Sequence, residues 1–389
     1  MIMSPKVAFV VKNKFQIIQF ENLFRSYPSS VLLLLDRKTL RKEFDKDELG
    51  NVEIVDRFTV AQKCAEFDVV FFQTTFPGIE EISVPLVSVQ YGLAKEQHNY
   101  GDWRSLADLN LMYGYYSVRQ IQHFSPSVAV GNLKFAGWNY REARRQCRDI
   151  KQELGLDVRK PAILFMPTYG SLGTFDALVE SLGELALQFD VMVKMHHNNE
   201  LTGREWRKNA LSHGIKYLYG GDFDQKKLLS AADLVISDFS GAIFDAVYAE
   251  VPVVLFQPSA SEKIGLQKFD LNSIEFSQRD NIGFHFNNSK NLSEVVNYAI
   301  VNSDALVQRA SRIRSELFID GHYYDTVSQI QYFVALLLSG EIPTLTEQQM
   351  AIRSSVKFRL RTQHKIGWRE KASEILSSFS RKCVPQISR

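Results

Sequence analysis

Short apolar runs separated by amphipathic stretches pace this chain from Lys6 onward. Val7 to Val11, Val31 to Leu35, Val52 to Val55, Val69 to Phe72, Leu86 to Val89, Leu109 to Tyr113 and Val128 to Val130 are each bounded by polar or turn-forming residues. Runs of that length fit buried strands better than core helices. A second cycle follows with Ala162 to Met166, Val191 to Met195, Ile215 to Leu218, Leu234 to Ser237 and Val253 to Phe256. Strands alternating with helical segments at this cadence predict an α/β fold with mostly parallel sheets and helices on their faces. Two such cycles predict two α/β domains with a cleft between them, 1–150 and 151–340, and a tail over 341–389. The basic stretch from Arg141 to Lys160 reads as a solvated linker helix between the halves.

Composition narrows the class without naming a chemistry. The 389 residues carry a net charge of only +2, with 23% charged residues, which is ordinary for a globular protein and gives no general pull toward nucleic acid. Cys64, Cys147 and Cys383 are odd in number and far apart, which suits a reducing compartment and argues against a disulfide framework or a thiolate metal site. No basic-then-apolar leader opens the chain and the most apolar runs are too short to span a bilayer, so a cytoplasmic location is expected. Neither a G-x-G-x-x-G after the first strand nor a G-x-x-x-x-G-K-[ST] occurs.

In open parallel sheets the informative residues lie just past the strand carboxyl ends. The stretch Leu234 to Asp245 is the strongest of these: an apolar strand runs into Ser237, Asp238, Phe239, Ser240 and Gly241, and then Ile243, Phe244, Val247 and Tyr248 recur at helical spacing. A helix beginning near Ser240 would aim free N–H groups at an anion, the arrangement of a phosphate seat. Pro167-Thr168-Tyr169-Gly170-Ser171 and His196-His197-Asn198-Asn199 end two other strands of the same cycle and would open on the same edge. His196 and His197 are adjacent on an extended segment, so their side chains diverge and cannot share a metal. Asp222-Phe223-Asp224 has D-x-D spacing, but Asp224 reads better as the N-cap of the helix that follows; no metal and no cofactor are expected. In the first half, the loop from Tyr91 to Trp103 carries Lys95, His98 and Asp102, and His98 is its best general base, with Asp102 as an orienting carboxylate or a base in its own right.

The order of these motifs resembles the CDP-glycerol glycerophosphotransferase family, the teichoic-acid primases and polymerases. The residues that carry the resemblance are Met166-Pro167-Thr168; Val193-Lys194-Met195-His196; Asp224 with Leu228-Leu229 and Ala232-Asp233; Ile236-Ser237-Asp238-Phe239-Ser240 with Phe244-Asp245 and Pro252; and, later, Phe318-Ile319-Asp320-Gly321. The resemblance implies a GT-B architecture of two Rossmann-like domains, with the donor's nucleotide diphosphate held by the second domain. By position, His196 and Ser240 would contact donor phosphates, Thr168 and Ser237 would line the same pocket beside Gly241, and Asp238 and Asp245 would orient it. The chain departs from the family where His-Pro becomes His196-His197, where Tyr-Ser-Ser becomes Phe239-Ser240-Gly241, and where the family's N-terminal histidine, its expected base, falls on Tyr91. An acidic residue after the strand Val253 to Phe256 is replaced by Gln257-Pro258.

Beyond Pro343 the character changes. Arg353, Lys357, Arg359, Arg361, Lys365, Arg369 and Lys371 interleave with Val356, Phe358, Leu360, Ile366 and Trp368, a basic amphipathic pattern over 353–389 suited to an anionic membrane surface. The competing expectation is a helix packed back on the first domain. Together these features predict a metal-independent transferase at the inner face of the cell membrane. It would move a glycerol-phosphate, polyol-phosphate or sugar unit from a nucleotide-activated donor to a hydroxyl of a glycan or its lipid-linked precursor. His98 or Asp102 would be the base, with His196 at the leaving phosphate. A GT-B enzyme using a CMP- or UDP-sugar and a non-catalytic assembly protein are the alternatives.

Overall fold

The computed structural model describes residues 4–35, 51–196, 198–199, 205–258, 272–319 and 325–363. The apolar runs form two all-parallel sheets. In the first, β1 (Val7–Val11), β2 (Ser30–Leu35), β3 (Val52–Val55), β4 (Val69–Phe72), β5 (Leu86–Val89), β6 (Leu109–Met112) and β7 (Ser127–Ala129) take the order β3-β2-β1-β4-β5-β6-β7. The second contains β8 (Ala162–Met166), β9 (Asp190–Lys194), β10 (Tyr217–Tyr219), β11 (Leu234–Ser237), β12 (Val253–Phe256) and β13 (Phe284–Phe286), ordered β10-β9-β8-β11-β12-β13. In each sheet the strand order reverses beside the first strand of the cycle. Such a switch point opens a crevice at the strand carboxyl ends.

The helices used below, in chain order, are α1 (Lys14–Arg25), α2 (Glu96–Asn99), α3 (Gln225–Ala231), α4 (Ala242–Tyr248), α5 (Ile274–Ser277), α6 (Ser303–Leu317) and α7 (Thr326–Leu338). Helix α1 shows how the pattern sets the packing. Asn13 caps it by accepting the Gln16 N–H at 2.9 Å, and Ile17, Phe20 and Leu23 recur on one buried face against Phe9 and Phe71 of the sheet.

Three features differ from the expectations. Strand β13 was not anticipated; three residues with His285 in the middle give too short an apolar signal, and its place comes from pairing with β12. The basic stretch after Tyr140 is two short helices, Tyr140–Arg145 and Cys147–Glu153, packed on the second sheet rather than a solvated linker. Lys151 there is buried and bonded to Asp233 at 2.8 Å. Finally, α7 lies beyond the reach of the second sheet's core. Its Ile330 and Val334 join Phe9, Phe20 and Leu111 under the first sheet, so the chain returns to its first half before residue 340.

The crossing back begins at the end of α6. The Ile319 N–H bonds the Tyr113 carbonyl, and a Cβ on Gly114 would collide with the main chain of Leu317. The helix over 347–363 then lies on the first sheet. Val356 is buried against the cluster of Val60, Cys64 and Phe72. Arg353, Arg359 and Arg361 pair with Asp108, Asp102 and Glu81 at 2.7, 2.8 and 2.7 Å. The packed-helix expectation therefore holds for the described part of the tail: these three arginines meet carboxylates of the protein. Residues 364–389, with the rest of the basic tail and Cys383, lie outside the described residues. Among the described residues no helix is long and apolar enough to cross a membrane.

Candidate active site

A cavity of about 300 Å³ lies between the two sheets, where loops from both converge. Each side chain in it is placed by an element already described.

From the second sheet, β11 leads into the junction that the sequence singled out, and the junction divides its polar residues between two tasks. Ser237 is fully buried and donates its hydroxyl to the Met166 carbonyl of neighbouring β8 at 2.6 Å, so it faces the sheet and not the cavity. The Asp238 carboxylate is also fully buried. It accepts the Thr168 N–H (2.8 Å), the Thr174 N–H (3.2 Å), the Thr174 hydroxyl (2.9 Å) and the Phe239 N–H (2.6 Å). Burial pushes its pKa up, against the downward pull of these bonds. Asp238 is thus a clip that gathers the 167–174 loop, and it has no face left for a ligand. Thr168 is drawn inward by the same bond. Its side chain lines a separate hollow of about 440 Å³ with Trp206 and Asn199. The expected pocket-lining role of Thr168 and Ser237 is therefore corrected, and Asp238, expected to orient the pocket, does not touch the donor cavity: all three shape it from behind.

Ser240, Gly241 and Asp245 do line the cavity. The Ser240 hydroxyl oxygen accepts the Ala242 N–H at 3.2 Å at the start of α4. Asp245 accepts from Lys134 Nζ at 2.6 Å and from Gln225 Nε2, at the start of α3, at 2.9 Å. Lys134 comes from the first half, just past β7, so this ion pair bridges the two sheets.

His196 lines the cavity beside the Tyr169 ring, centroids 4.4 Å apart. Its Nδ1 accepts the Asn198 N–H at 3.2 Å, which leaves Nε2 as the protonated, donating nitrogen of the neutral ring. Two residues earlier, at the end of β9, Lys194 also lines the cavity. Its Nζ donates to the carbonyls of Gly220 (3.2 Å) and Gly221 (2.8 Å). Burial, reinforced by Lys134, brings its pKa down to about 8. His197 lies outside the described residues.

From the first sheet, the loop after β5 contributes Tyr91, Lys95 and His98. Burial pushes the Tyr91 phenol up to about 12, so it is a donor and not a base. His98, on α2, is held below its ordinary 6.5 by burial and then by Lys12, Lys95 and Arg104, so its imidazole is neutral near pH 7 and able to take a proton. Asp102 is corrected: it does not line the cavity but pairs with Arg359 of the terminal helix, on the other side of the loop.

The cavity thus gathers His98, His196, Ser240, Gly241 and Asp245 from the expected set, and it adds Lys95, Lys134, Lys194, Tyr169 and Gln225. Lys194 was legible from its i, i+2 spacing to His196. Lys134 carried no sequence signal, because its position beside Asp245 is a product of the tertiary fold. Three lysines and two histidines face one carboxylate there, a lining matched to a polyanionic ligand. Among the described residues no three His, Cys, Asp or Glu side chains are grouped to hold a metal ion. In the D-x-D stretch, Asp222 pairs with Lys14 at 3.2 Å and Asp224 caps α3 through the Lys226 N–H.

Residues 139–276 match the family model of CDP-glycerol:poly(glycerophosphate) glycerophosphotransferase. Among solved structures, the chain is similar to the wall teichoic acid polymerase TagF, at 15% identity and a TM-score of 0.62 over 87% of this chain and 90% of that one. A TagF structure soaked with CDPG gives 14% identity and a TM-score of 0.58 over 87% and 88%. The Anabaena protein HepE, solved with UDP and glucose, gives 15% and 0.53 over 86% and 100%. These likenesses show a shared α/β fold with parallel sheets. No curated protein matches the chain.

Proposed function

We propose that the chain is a transferase that uses a nucleotide-activated donor of the CDP-glycerol kind to extend a cell-surface polysaccharide or its lipid-linked precursor, a reading supported by the match of residues 139–276 to the glycerophosphotransferase model. The observation that carries this reading is the shared cavity, in which a neutral histidine and two lysines from the first half face a histidine, a serine and a lysine from the second. The arrangement is that of a GT-B enzyme. Residues 1–150 form the acceptor side, 151 onward the donor side, α7 and the helix over 347–363 return to the first half, and the tail begins at 341.

The acceptor hydroxyl gives its proton to His98 as its oxygen bonds to the donor's phosphorus, or to the anomeric carbon of a sugar donor. The bond to the nucleotide's phosphate oxygen breaks, and the charge left on that phosphate is met by His196 Nε2–H, Lys194 and the Ser240 turn. Asp245 holds Lys134 at the cavity wall. The Tyr91 departure does not remove the base, because α2 returns His98 to the cavity wall that Tyr91 also lines; this favours an enzyme over a non-catalytic assembly protein. A UDP- or CMP-sugar donor is the second reading, favoured by the likeness to HepE and by Gly241 and Gln257 where the family has a hydroxyl and an acid. Work on a lipid-linked acceptor would place the protein at the inner face of the membrane.

The test is a thermal-shift screen with CDP-glycerol, CDP-ribitol, CMP-sugars and UDP-sugars, followed by turnover with the best binder. A true donor at about a hundred times its Kd stabilises the protein by about 2.7 kcal/mol. Absence of stabilisation by every nucleotide, or full turnover by His196→Ala, would overturn the reading.

A further inference from the structure

The helix that carries His98 is held from the opposite sheet. Lys95, the residue that opens α2, sits in left-handed backbone at φ 62°, a region that non-glycine residues occupy only where their surroundings fix them. No side chain at the N-cap position satisfies the first turn of α2, and its N–H groups would otherwise be orphaned. They are met instead by α5 of the second half. The Lys95 N–H donates to Glu275 Oε1 at 2.6 Å and the Glu96 N–H to the Ser273 hydroxyl oxygen at 3.2 Å. The exchange is reciprocal, since the Glu96 carboxylate accepts the Ile274 N–H at 3.3 Å and also the Tyr116 hydroxyl. Glu275 is fully buried and, among the described residues, its second oxygen makes no hydrogen bond. A carboxylate in that setting is costly unless its one engaged oxygen matters to the fold around it.

We propose that Glu275, assisted by Ser273, is a positioning residue for His98: a donor-side helix caps the acceptor-side helix, so the base faces the cavity only while the two halves are joined at this clasp. Loss of the Glu275 oxygen removes the acceptor of the Lys95 N–H, α2 loses this brace on its starting turn, and His98 moves from its buried place near Lys12, Lys95 and Arg104. Substrate binding on the second sheet, at His196, Lys194 and Ser240, is left in place. The proposal rests on His98 being the base, and the test separates the two ideas.

Full-length protein carrying Glu275→Ala, Glu275→Gln, Ser273→Ala or His98→Ala is compared with the parent by three measurements: the imidazole NMR titration of His98, assigned by its disappearance in His98→Ala; calorimetric binding of CDP; and consumption of CDP-glycerol. In Glu275→Ala the His98 pKa rises to the ordinary value of about 6.5, CDP affinity changes less than about twofold, and kcat falls by about tenfold or more, the scale of a misplaced catalytic group. Glu275→Gln, which keeps an acceptor oxygen for the Lys95 N–H, retains the parent titration and kcat. If Glu275→Ala does not fold, Ser273→Ala carries the test, with the same His98 shift at smaller amplitude. An unmoved His98 titration in the alanine variants overturns the clasp whatever the reaction proves to be. A moved titration with His98→Ala still fully active upholds the clasp and removes His98 as base.

Discussion

Lys194 gives the donor side of the cavity a pH signature that can be worked through. Its ammonium is buried and bonded to the Gly220 and Gly221 carbonyls, and burial brings its pKa to about 8. A diphosphate placed beside it favours the charged form and raises that value. At pH 8 about half of the empty protein therefore carries neutral Lys194, and nucleotide binding takes up to about half a proton from buffer. Above pH 8 the affinity for CDP falls about tenfold per pH unit, equivalent to 1.36 kcal/mol, until the bound-state pKa is passed. Calorimetric titration with CDP at pH 7, 8 and 9, in two buffers of different protonation enthalpy, reads both effects. Lys194→Met should abolish the proton uptake and weaken binding at pH 7 by about 1.5–3 kcal/mol, the range for hydrogen bonds to charged groups. The empty protein supplies a control of opposite direction. A lysine with a depressed native pKa binds fewer protons folded than unfolded, so stability rises with pH between about 8 and 10.5, by at most about 3.4 kcal/mol. CDP affinity that is flat from pH 7 to 9, with heats independent of buffer, would refute the placement of Lys194 at the donor phosphates.

Three further outcomes follow from the same site. His98→Ala should lower turnover of the accepted donor by about 10²–10⁴-fold with CDP binding unchanged. Because burial and the surrounding cations hold His98 below 6.5, the acid limb of the kcat/KM profile should also lie below pH 6.5, and a limb above pH 7 would contradict the assignment. Asp238→Asn turns an amide toward main-chain donors that need an acceptor; a loss of about 1–3 kcal/mol in urea denaturation is expected, and an unchanged midpoint would show that Asp238 is not the clip. Gly241 has φ −59°, and a Cβ there would sit 3.6 Å from the Ala94 Cβ, an ordinary contact. Gly241→Ser should therefore shift stability by less than about 0.5 kcal/mol, and a drop in melting temperature of several degrees would mean the cavity wall is tighter than this geometry.

Periodicity made the strands legible because a parallel sheet buried on both faces demands continuous apolar runs, and Val69 to Phe72 or Leu234 to Ser237 could be little else. Position at a strand carboxyl end was enough to bring His196 and Ser240 toward one cavity, whereas Asp245, within the helix that follows, came from the family resemblance. It was not enough to say which way a polar side chain turns. Ser237, Asp238 and Ser240 look alike as letters, yet the pleat sends Ser237 into the neighbouring strand, and the next turn buries Asp238 under the 167–174 loop. Asp102 failed for a different reason. Its partner Arg359 is 257 residues away, and nothing local announces that a terminal helix will claim that carboxylate. The return of α7 to the first sheet was hidden likewise, since a helix's apolar face does not name the core it joins.

The two carboxylates of the β11–α4 segment show how one motif can serve scaffold and chemistry together. Asp238 spends its acceptor capacity on N–H groups of the loop that ends at Thr174, and Tyr169, within that loop, lies against His196. Asp245, one helical stretch later, faces the cavity and holds Lys134 from the other sheet. The first fixes the donor-side wall before any ligand arrives; the second ties that wall to the acceptor side by an ion pair whose lysine a phosphate can also attract. In the proposed reaction, pre-organisation of this kind would lower the reorganisation needed as charge develops on the leaving phosphate. The wall takes its shape from Asp238 and its positive charge from Lys134 and Lys194, so neither depends on a hydroxyl at Gly241.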